Sequence, residues 1–457
     1  MPRGRANREA RPVQEKRASG LAKLANDWWD RLIGAVYSGS FANQTAQYAA
    51  HNQVRDYIFN SAGMGIWGAL FPLLTIIATQ LAGAEQAGMF SMAFVIANLL
   101  EFVGNYGVRT YQVSDVDEMD SFGAYQIHRV LACLAMVGVG WAYFNIRGYS
   151  GDMLTICLGT FAFRVVDALA DVYEGRLQQY DKLWLAGVSQ SVRCVAGIAV
   201  FTVQLLLTRS IAVASVGMAV AALVTLVLVT VPLAYFETPR SRRWALVEIR
   251  EVFVECWPAF LAQFLFALIE AIPKFAMEGA LPYEDQLYFN AIYFPAQSVL
   301  MVVSLIYKPQ LVRLANIWAD SSARKRFDLI VIAVIAAAAV VSVVWILVAA
   351  WIGIKIQGIL YGLDFEPYRQ AQYLMIVAGG MSAAIDFLYQ IITVLRQQKA
   401  ATFSYLVGLG VVLVASYLLV LTVGFQGAVW AYFLVMVVLL VLMVIQYVRA
   451  RMHPVAY

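Results

Sequence analysis

Charge is scarce in this chain. Only 14% of its 457 residues are Asp, Glu, Lys or Arg, against 61% hydrophobic, and the mean hydropathy is +0.69. A soluble domain carries about 25% charged residues, so a water-soluble globular protein is excluded. Histidine and cysteine are rarer still. His51, His128 and His453 are too scattered to hold a metal. Cys133, Cys157, Cys194 and Cys256 all fall in apolar segments without ligand spacing, which argues against a metal centre and a disulfide framework. No GxxxxGK(S/T), HExxH or zinc spacing is present, and no external stretch is long enough for a catalytic domain. The chain therefore reads as a non-enzyme without a cofactor, and ATP-driven transport by this chain alone is disfavoured.

What is present is a series of apolar spans. A helix needs roughly 20 residues to cross a bilayer. Such stretches fall at about 57–80, 86–108, 122–146, 152–174, 183–207, 211–236, 251–273, 285–307, 327–351, 369–393, 403–424 and 426–447. The expected fold is an all-α polytopic membrane protein with twelve transmembrane helices in two six-helix bundles. Most of the Lys and Arg lie in the N-terminal tail or at one set of span ends, including Arg109, Arg176, Arg240, Arg242, Arg243, Lys308, Arg449 and Arg451. By the positive-inside rule those ends, and both termini, face the cytoplasm.

The domain reading follows. Residues 1–54 form a basic cytoplasmic tail lacking the apolar core of a signal peptide. Within it Leu21, Leu24, Trp28, Leu32 and Val36 recur near helical spacing, as either an interfacial amphipathic helix or a linker. Residues 55–236 form the first bundle, 237–250 a cytoplasmic link, 251–447 the second bundle and 448–457 a short tail. A duplication is supported by an internal echo. Gln178-Gln179 follow Asp167 at the same distance as Gln397-Gln398 follow Asp386. Glu85, Phe90, Phe94 and Arg109 likewise align with Glu284, Phe289, Tyr293 and Lys308.

The few charges inside the spans are the candidate functional residues. Arg164, Asp167, Asp171 and Glu174 are spaced i, i+3, i+7, i+10, one face of a helix. A charge at the bilayer centre costs about 2.5–3.5 kcal/mol, so this face looks into protein or water. Arg164 and Arg193 both fall near the midplane on adjacent spans. Two readings stand side by side. One is a cavity site in which guanidinium forks bind pyrophosphate. The other is a structural ion-pair network, with Glu101 and Asp167 as the nearest partners. Glu270 and Lys274, spaced i, i+4, read as a surface ion pair or as an outer gate with Lys274 contacting an anion. Asp386 stands alone in the tenth span, as a proton or Na+ site for gradient coupling or as part of a polar patch. Pro72 and Pro258 sit in the first span of each half, where a bend would let the halves rock.

Short motifs add a resemblance. Asn60-x-x-Gly63 opens the first span, Gly83 and Gly88-x-Phe90-Ser91-x-Ala93 follow, Gly107-x-Arg109 closes the second and Glu174-Gly175-x-x-Gln178 the fourth. Over about 55–447 this pattern resembles the Wzx-type polysaccharide flippases of the multidrug/oligosaccharidyl-lipid/polysaccharide (MOP) exporter superfamily. The resemblance implies two six-helix bundles around a central cavity in the bacterial inner membrane. It implies a cargo of undecaprenyl-pyrophosphate-linked oligosaccharide, moved by alternating access for exopolysaccharide, capsule or O-antigen synthesis. An H+ or Na+ gradient is the implied energy source. Membrane lipid, and other polysaccharide-assembly proteins meeting the basic tail, are the implied partners; nucleic acid is not. A drug or metabolite exporter of the same fold, and a membrane polysaccharide polymerase, are the alternatives.

Overall fold

The protein is described by a computed structural model covering residues 45–115, 118–308, 311, 314, 317–318, 324–395 and 397–452. The proposed interfacial helix and most of the basic tail lie outside the described residues, as do Arg313 and Arg396.

Twelve helices among the described residues are long and apolar enough to cross a membrane. They are α1 (Ile58–Ala82, continuing back to Thr45), α2 (Ala84–Ser114), α3 (Phe122–Arg147), α4 (Gly151–Gln179), α5 (Leu183–Thr208) and α6 (Ile211–Glu237). The second set is α7 (Leu246–Met277), α8 (Tyr283–Tyr307), α9 (Arg324–Tyr361), α10 (Glu366–Val394), α11 (Gln398–Val423) and α12 (Phe425–Met452). All twelve expected spans are found. Most run a turn or more beyond the apolar run, and α9 reaches ten residues further, carrying Lys355 inside it. Backbone hydrogen bonding explains the excess, because a helix continues until a cap or glycine stops it. Gly148, Gly362 and the left-handed Arg209 do so here.

The two sets repeat one packing scheme. In the first, α1 packs on α5, α2 on α4 and α4 on α6; in the second, α7 packs on α11, α8 on α10 and α10 on α12. Glycines permit the closest crossings. A Cβ on Gly187 would stand 2.4 Å from the Phe59 carbonyl oxygen, so α1 and α5 touch backbone to backbone. A Cβ on Gly88 would stand 1.9 Å from the Tyr283 carbonyl oxygen, where α2 meets α8 across the two halves.

Swapping the halves exchanges α1 with α7, α2 with α8 and α3 with α9. The two seams between the halves should then be equivalent, and they are not. In one seam α7 packs extensively on α2 and α3. Here α2 breaks at Tyr106 (φ 49°) and Gly107 (φ 66°), and the Tyr106 ring stacks on Phe260 with centroids 4.5 Å apart. The Glu248 carboxylate accepts from the Ser121 hydroxyl at 2.6 Å, tying α7 to the start of α3. At the opposite end Glu278 accepts from Arg147 and Tyr149. In the other seam α1 meets α8 and α9 sparsely. Its hydrogen bonds among the described residues sit at one end, away from the chain termini. There Gln80 Nε2 donates to the Leu360 carbonyl oxygen at 2.9 Å, and the Thr75 and Tyr361 hydroxyls are 3.3 Å apart. Among the described residues, the end of this seam nearer the termini carries no such hydrogen bond.

Candidate functional site

The charged face of α4 is the axis of a ladder. Asp171 binds Arg109 of α2 and Arg129 of α3, each at 2.7 Å. Arg164 binds Asp167 at 3.0 Å and Glu101 of α2 at 3.3 Å. Arg193 of α5 reaches Asp167 at 2.6 Å and Glu174 at 2.7 Å. Ser189 donates to Glu174 at 3.0 Å and lies 2.7 Å from Thr230 of α6. Trp67 of α1 donates its indole N–H to Asp167 at 2.8 Å. All six helices of the first half are thereby tied to one face of α4. The ladder holds four arginines and four carboxylates, and the Arg164 guanidinium also stacks over the Phe94 ring at 4.7 Å. Arg129, Arg164 and Arg193 are 1–2% exposed, and their carboxylate partners satisfy the cost of burying them.

A cavity lies in the sparsely packed seam. It measures about 960 Å³ and is walled by α1, α5, α8, α9 and α10, at the top of the usual range of about 300–1,000 Å³ for ligand sites. Met64, Trp67 and Met301 line it and are 40%, 37% and 37% exposed, so it opens along α1 and α8. Gly65 and Gly68 face it with nothing within 4 Å of a built Cβ. The wall is aromatic and amide-rich, with Trp67, Phe294, Trp345, Gln190, Gln297, Gln357 and Gln372. The π-helical turn Ala349–Gly353 of α9 contributes its ends, a local widening frequent at functional sites. Its only charged lining residues among those described are Lys308 and Asp386. Lys308 is exposed and has no ion pair among the described residues, while Asp386 accepts from the Tyr307 hydroxyl.

This geometry corrects the expected placement of the cations. Arg164, Arg193 and Lys274 do not line the cavity. The arginines sit behind its wall, already held by carboxylates, and among the described residues Trp67 alone joins the ladder to the cavity surface. Glu270 and Lys274 are not a solvated surface pair. Lys274 is 6% exposed, and its ammonium lies 4.1 Å above the Tyr293 ring rather than within ion-pair distance of Glu270. An aromatic face in a dry site competes well with a carboxylate one turn away. Glu270 accepts instead from Tyr432 at 3.3 Å and Ser382 at 3.4 Å. Glu101, Asp167 and Asp171 serve the ladder, and Asp386 alone of the singled-out charged residues reaches the cavity, beside Pro72. The four glutamines and Lys308 were not recognised as cavity residues from sequence. Searching the spans for uncharged amides would have found the glutamines.

The resemblance motifs gain a physical meaning. Gly63 and Gly88 are crossing points. Arg109 donates to Gln178 at 3.0 Å besides its bond to Asp171. A Cβ on Gly175 would meet the Gln112 side chain at 2.5 Å. Gly63, Arg109 and Gly175 are packing points within the first half, and Gly88 is one between the halves.

No protein-family model matches the chain, and no curated relative does. Solved structures resemble it over nearly its whole length. An inward-facing multidrug resistance MATE family transporter of the MOP superfamily superposes with a TM-score of 0.61 at 12% identity, over 86% of this chain and 97% of that one. The MATE multidrug transporter DinF-BH, solved as a complex, gives 0.60 at 16% identity over 88% and 95%. A MOP superfamily transporter from Pyrococcus furiosus, described as having a binding pocket of reversed polarity, gives 0.58 at 13% identity over 88% and 95%. At these identities the likeness is one of architecture: this multi-pass membrane protein has the twelve-helix, two-bundle fold of the MATE transporters of the MOP superfamily.

Proposed function

We propose that the protein is a flippase that moves a polyprenyl-pyrophosphate-linked oligosaccharide across the bacterial inner membrane for assembly of a surface or secreted polysaccharide. The observation that carries this reading is the inequality of the two seams. One is packed along its length, and the other encloses a cavity that opens along α1 and α8. A side opening between helices suits a cargo whose head group enters the protein while its hydrocarbon tail stays in lipid. Lys308, the cation of the cavity wall, is the phosphate contact in this reading. Closing the sparsely packed seam, and opening the packed one, is the alternating-access step. The ladder makes the first half move as one body. Asp386 is the site for H+ or Na+ coupling. The basic tail meets lipid or another assembly protein.

Drug or metabolite export is the second reading. It is favoured by the names of the solved neighbours and by the aromatic wall beside Asp386, which suits an organic cation.

Deletion in the host separates them. The flippase reading expects loss of polysaccharide with lipid-linked repeat units accumulating on the cytoplasmic leaflet. Normal polymer and normal lipid pools, with raised drug sensitivity, would replace it with export. Lost polymer with repeat units already outside would point to a polymerase step instead.

A further inference from the structure

Two tryptophans line the cavity, and each spends its N–H on the protein. Trp67 of α1 donates to Asp167 at 2.8 Å, and Trp345 of α9 donates to the Ser298 hydroxyl at 2.6 Å. An indole has no other polar atom, so the side-chain surface each leaves open is carbon. Trp67 is the more open of the two, at 37% exposed. It is also fixed from behind. The buried Arg164 guanidinium lies over its ring, 5.1 Å from the centroid. A side chain already held in place loses little freedom when a ligand lies against it. There is room for one. Met64, Trp67 and Gly68 share a face of α1 at i, i+3, i+4 spacing, and nothing stands within 4 Å of a Cβ built on Gly65 or Gly68.

An unused amide stands beside this ring. α1 and α5 run in parallel. Asp56, just before α1, accepts from the Trp184 N–H at the start of α5, and the Leu81 carbonyl oxygen at the end of α1 accepts from Arg209, just past α5. Between these ends Asp167 accepts from Trp67 through one carboxylate oxygen and from Arg193 of α5 through the other. Gln190 lies one turn before Arg193 on the same face of α5, which brings it to the level of Trp67 on the cavity wall. It is partly exposed and its amide makes no hydrogen bond among the described residues, yet neither amide atom is among the buried unpartnered ones. Both atoms are therefore open to a ligand.

We infer that Trp67 and Gln190 form a sugar subsite, in which the Trp67 ring takes the C–H face of a pyranose and the Gln190 amide takes hydroxyls on its rim. This rests on the flippase reading and deepens it. A pyranose is amphipathic, with C–H bonds on its faces and hydroxyls round its edge. A carbon surface with an amide at its side matches it, because the amide offers one donor end and one acceptor end to hydroxyls that both give and take. A planar organic cation suits the pair less well. It cannot use both ends of the amide, and the ring already shares its π system with a guanidinium. The ladder thereby gains a task beyond holding six helices: through Asp167 and Arg164 it sets the pose of the sugar platform.

The test is binding to the full chain in lipid nanodiscs. Two synthetic probes share a short prenyl pyrophosphate, and one of them carries a neutral disaccharide; a planar aromatic cation is the third probe. The quantity read is the ratio of the two pyrophosphate-probe affinities. In the unaltered chain the sugar should strengthen binding about tenfold, close to what roughly 50 Å² of apolar contact is worth. Trp67→Leu should reduce that gain to about twofold or less, and Trp67→Phe, which keeps a ring but loses the anchor, should fall between. Gln190→Met should reduce it by about threefold or more; this side chain holds no bond to the ladder, so the variant decides the matter if Trp67→Leu does not accumulate. A ratio near one in the unaltered chain overturns the subsite, and so does a gain that survives either Trp67→Leu or Gln190→Met. Absence of binding by both pyrophosphate probes overturns the flippase reading itself, and cation binding that Trp67→Leu removes would then give the ring to export.

Discussion

Replacing Arg193 with leucine separates a structural ladder from a ligand site. Arg193 is 1% exposed and holds two carboxylates, Asp167 at 2.6 Å and Glu174 at 2.7 Å. Removing one member of a buried ion pair costs about 3–5 kcal/mol, because the charge left behind is uncompensated. The two carboxylates are not left equal. Asp167 keeps Arg164 at 3.0 Å and the Trp67 indole at 2.8 Å. Glu174 keeps only Ser189, at 3.0 Å. Most of the penalty therefore falls on Glu174, and a second change, Glu174→Gln, should recover about half of it, roughly 2 kcal/mol. The assay is chemical unfolding of purified protein in detergent, beside the amount of folded protein in membranes. The expected order is parent, then Arg193→Leu/Glu174→Gln, then Arg193→Leu. If Arg193→Leu unfolds within about 1 kcal/mol of the parent and accumulates normally while transport is lost, the ladder argument is refuted. Arg193 would then be a cargo contact. A double variant no more stable than the single one would refute the assignment of the penalty to Glu174.

Other expectations follow from the same geometry. Gly68→Trp places a ring in open cavity space, where nothing stands within 4 Å of a built Cβ; thermal unfolding should be unchanged, while lipid-linked sugars accumulate. Gly187→Leu drives a side chain into the Phe59 carbonyl 2.4 Å away and should destabilise the first half by about 1–3 kcal/mol or more, read as a lowered melting temperature. Lys308→Glu should abolish pyrophosphate cargo binding, and Lys308→Arg should retain it. Because Lys308 is exposed and unpaired among the described residues, both should keep stability within about 0.5 kcal/mol.

The parts of this molecule legible in its sequence are those governed by one helix at a time. Span length and apolarity delivered the twelve helices, and the spacing from Arg164 to Glu174 delivered one charged face of α4. That face does look into protein. Its partner Arg109 was read as a span-end and motif residue and Arg129 was not singled out, because a linear sequence does not show which neighbours swing inward. The cavity was less legible for a related reason. It exists because one of the two seams is sparsely packed, and that is a property of tertiary packing, not of any segment. Charges drew the expectation toward Arg164, Arg193 and Lys274, whereas the lining is mostly uncharged. Gln357 and Gln372 sit in apolar runs where an amide is easily passed over. Glu270 and Lys274 had the spacing of an ion pair, but helical spacing only allows a contact. The Tyr293 ring, from another helix, took the ammonium instead.

The balance of the ladder bears on how the membrane voltage can act. Moving one net charge through the field is worth about 2.3 kcal/mol per 100 mV. A body holding four cations against four anions carries no net charge through it, however far it travels. Translation of the fully ionised ladder as one unit therefore does no net work against the field, and a dependence of transport on the membrane potential reports charges outside it, those of what is carried or of an ion bound with it included.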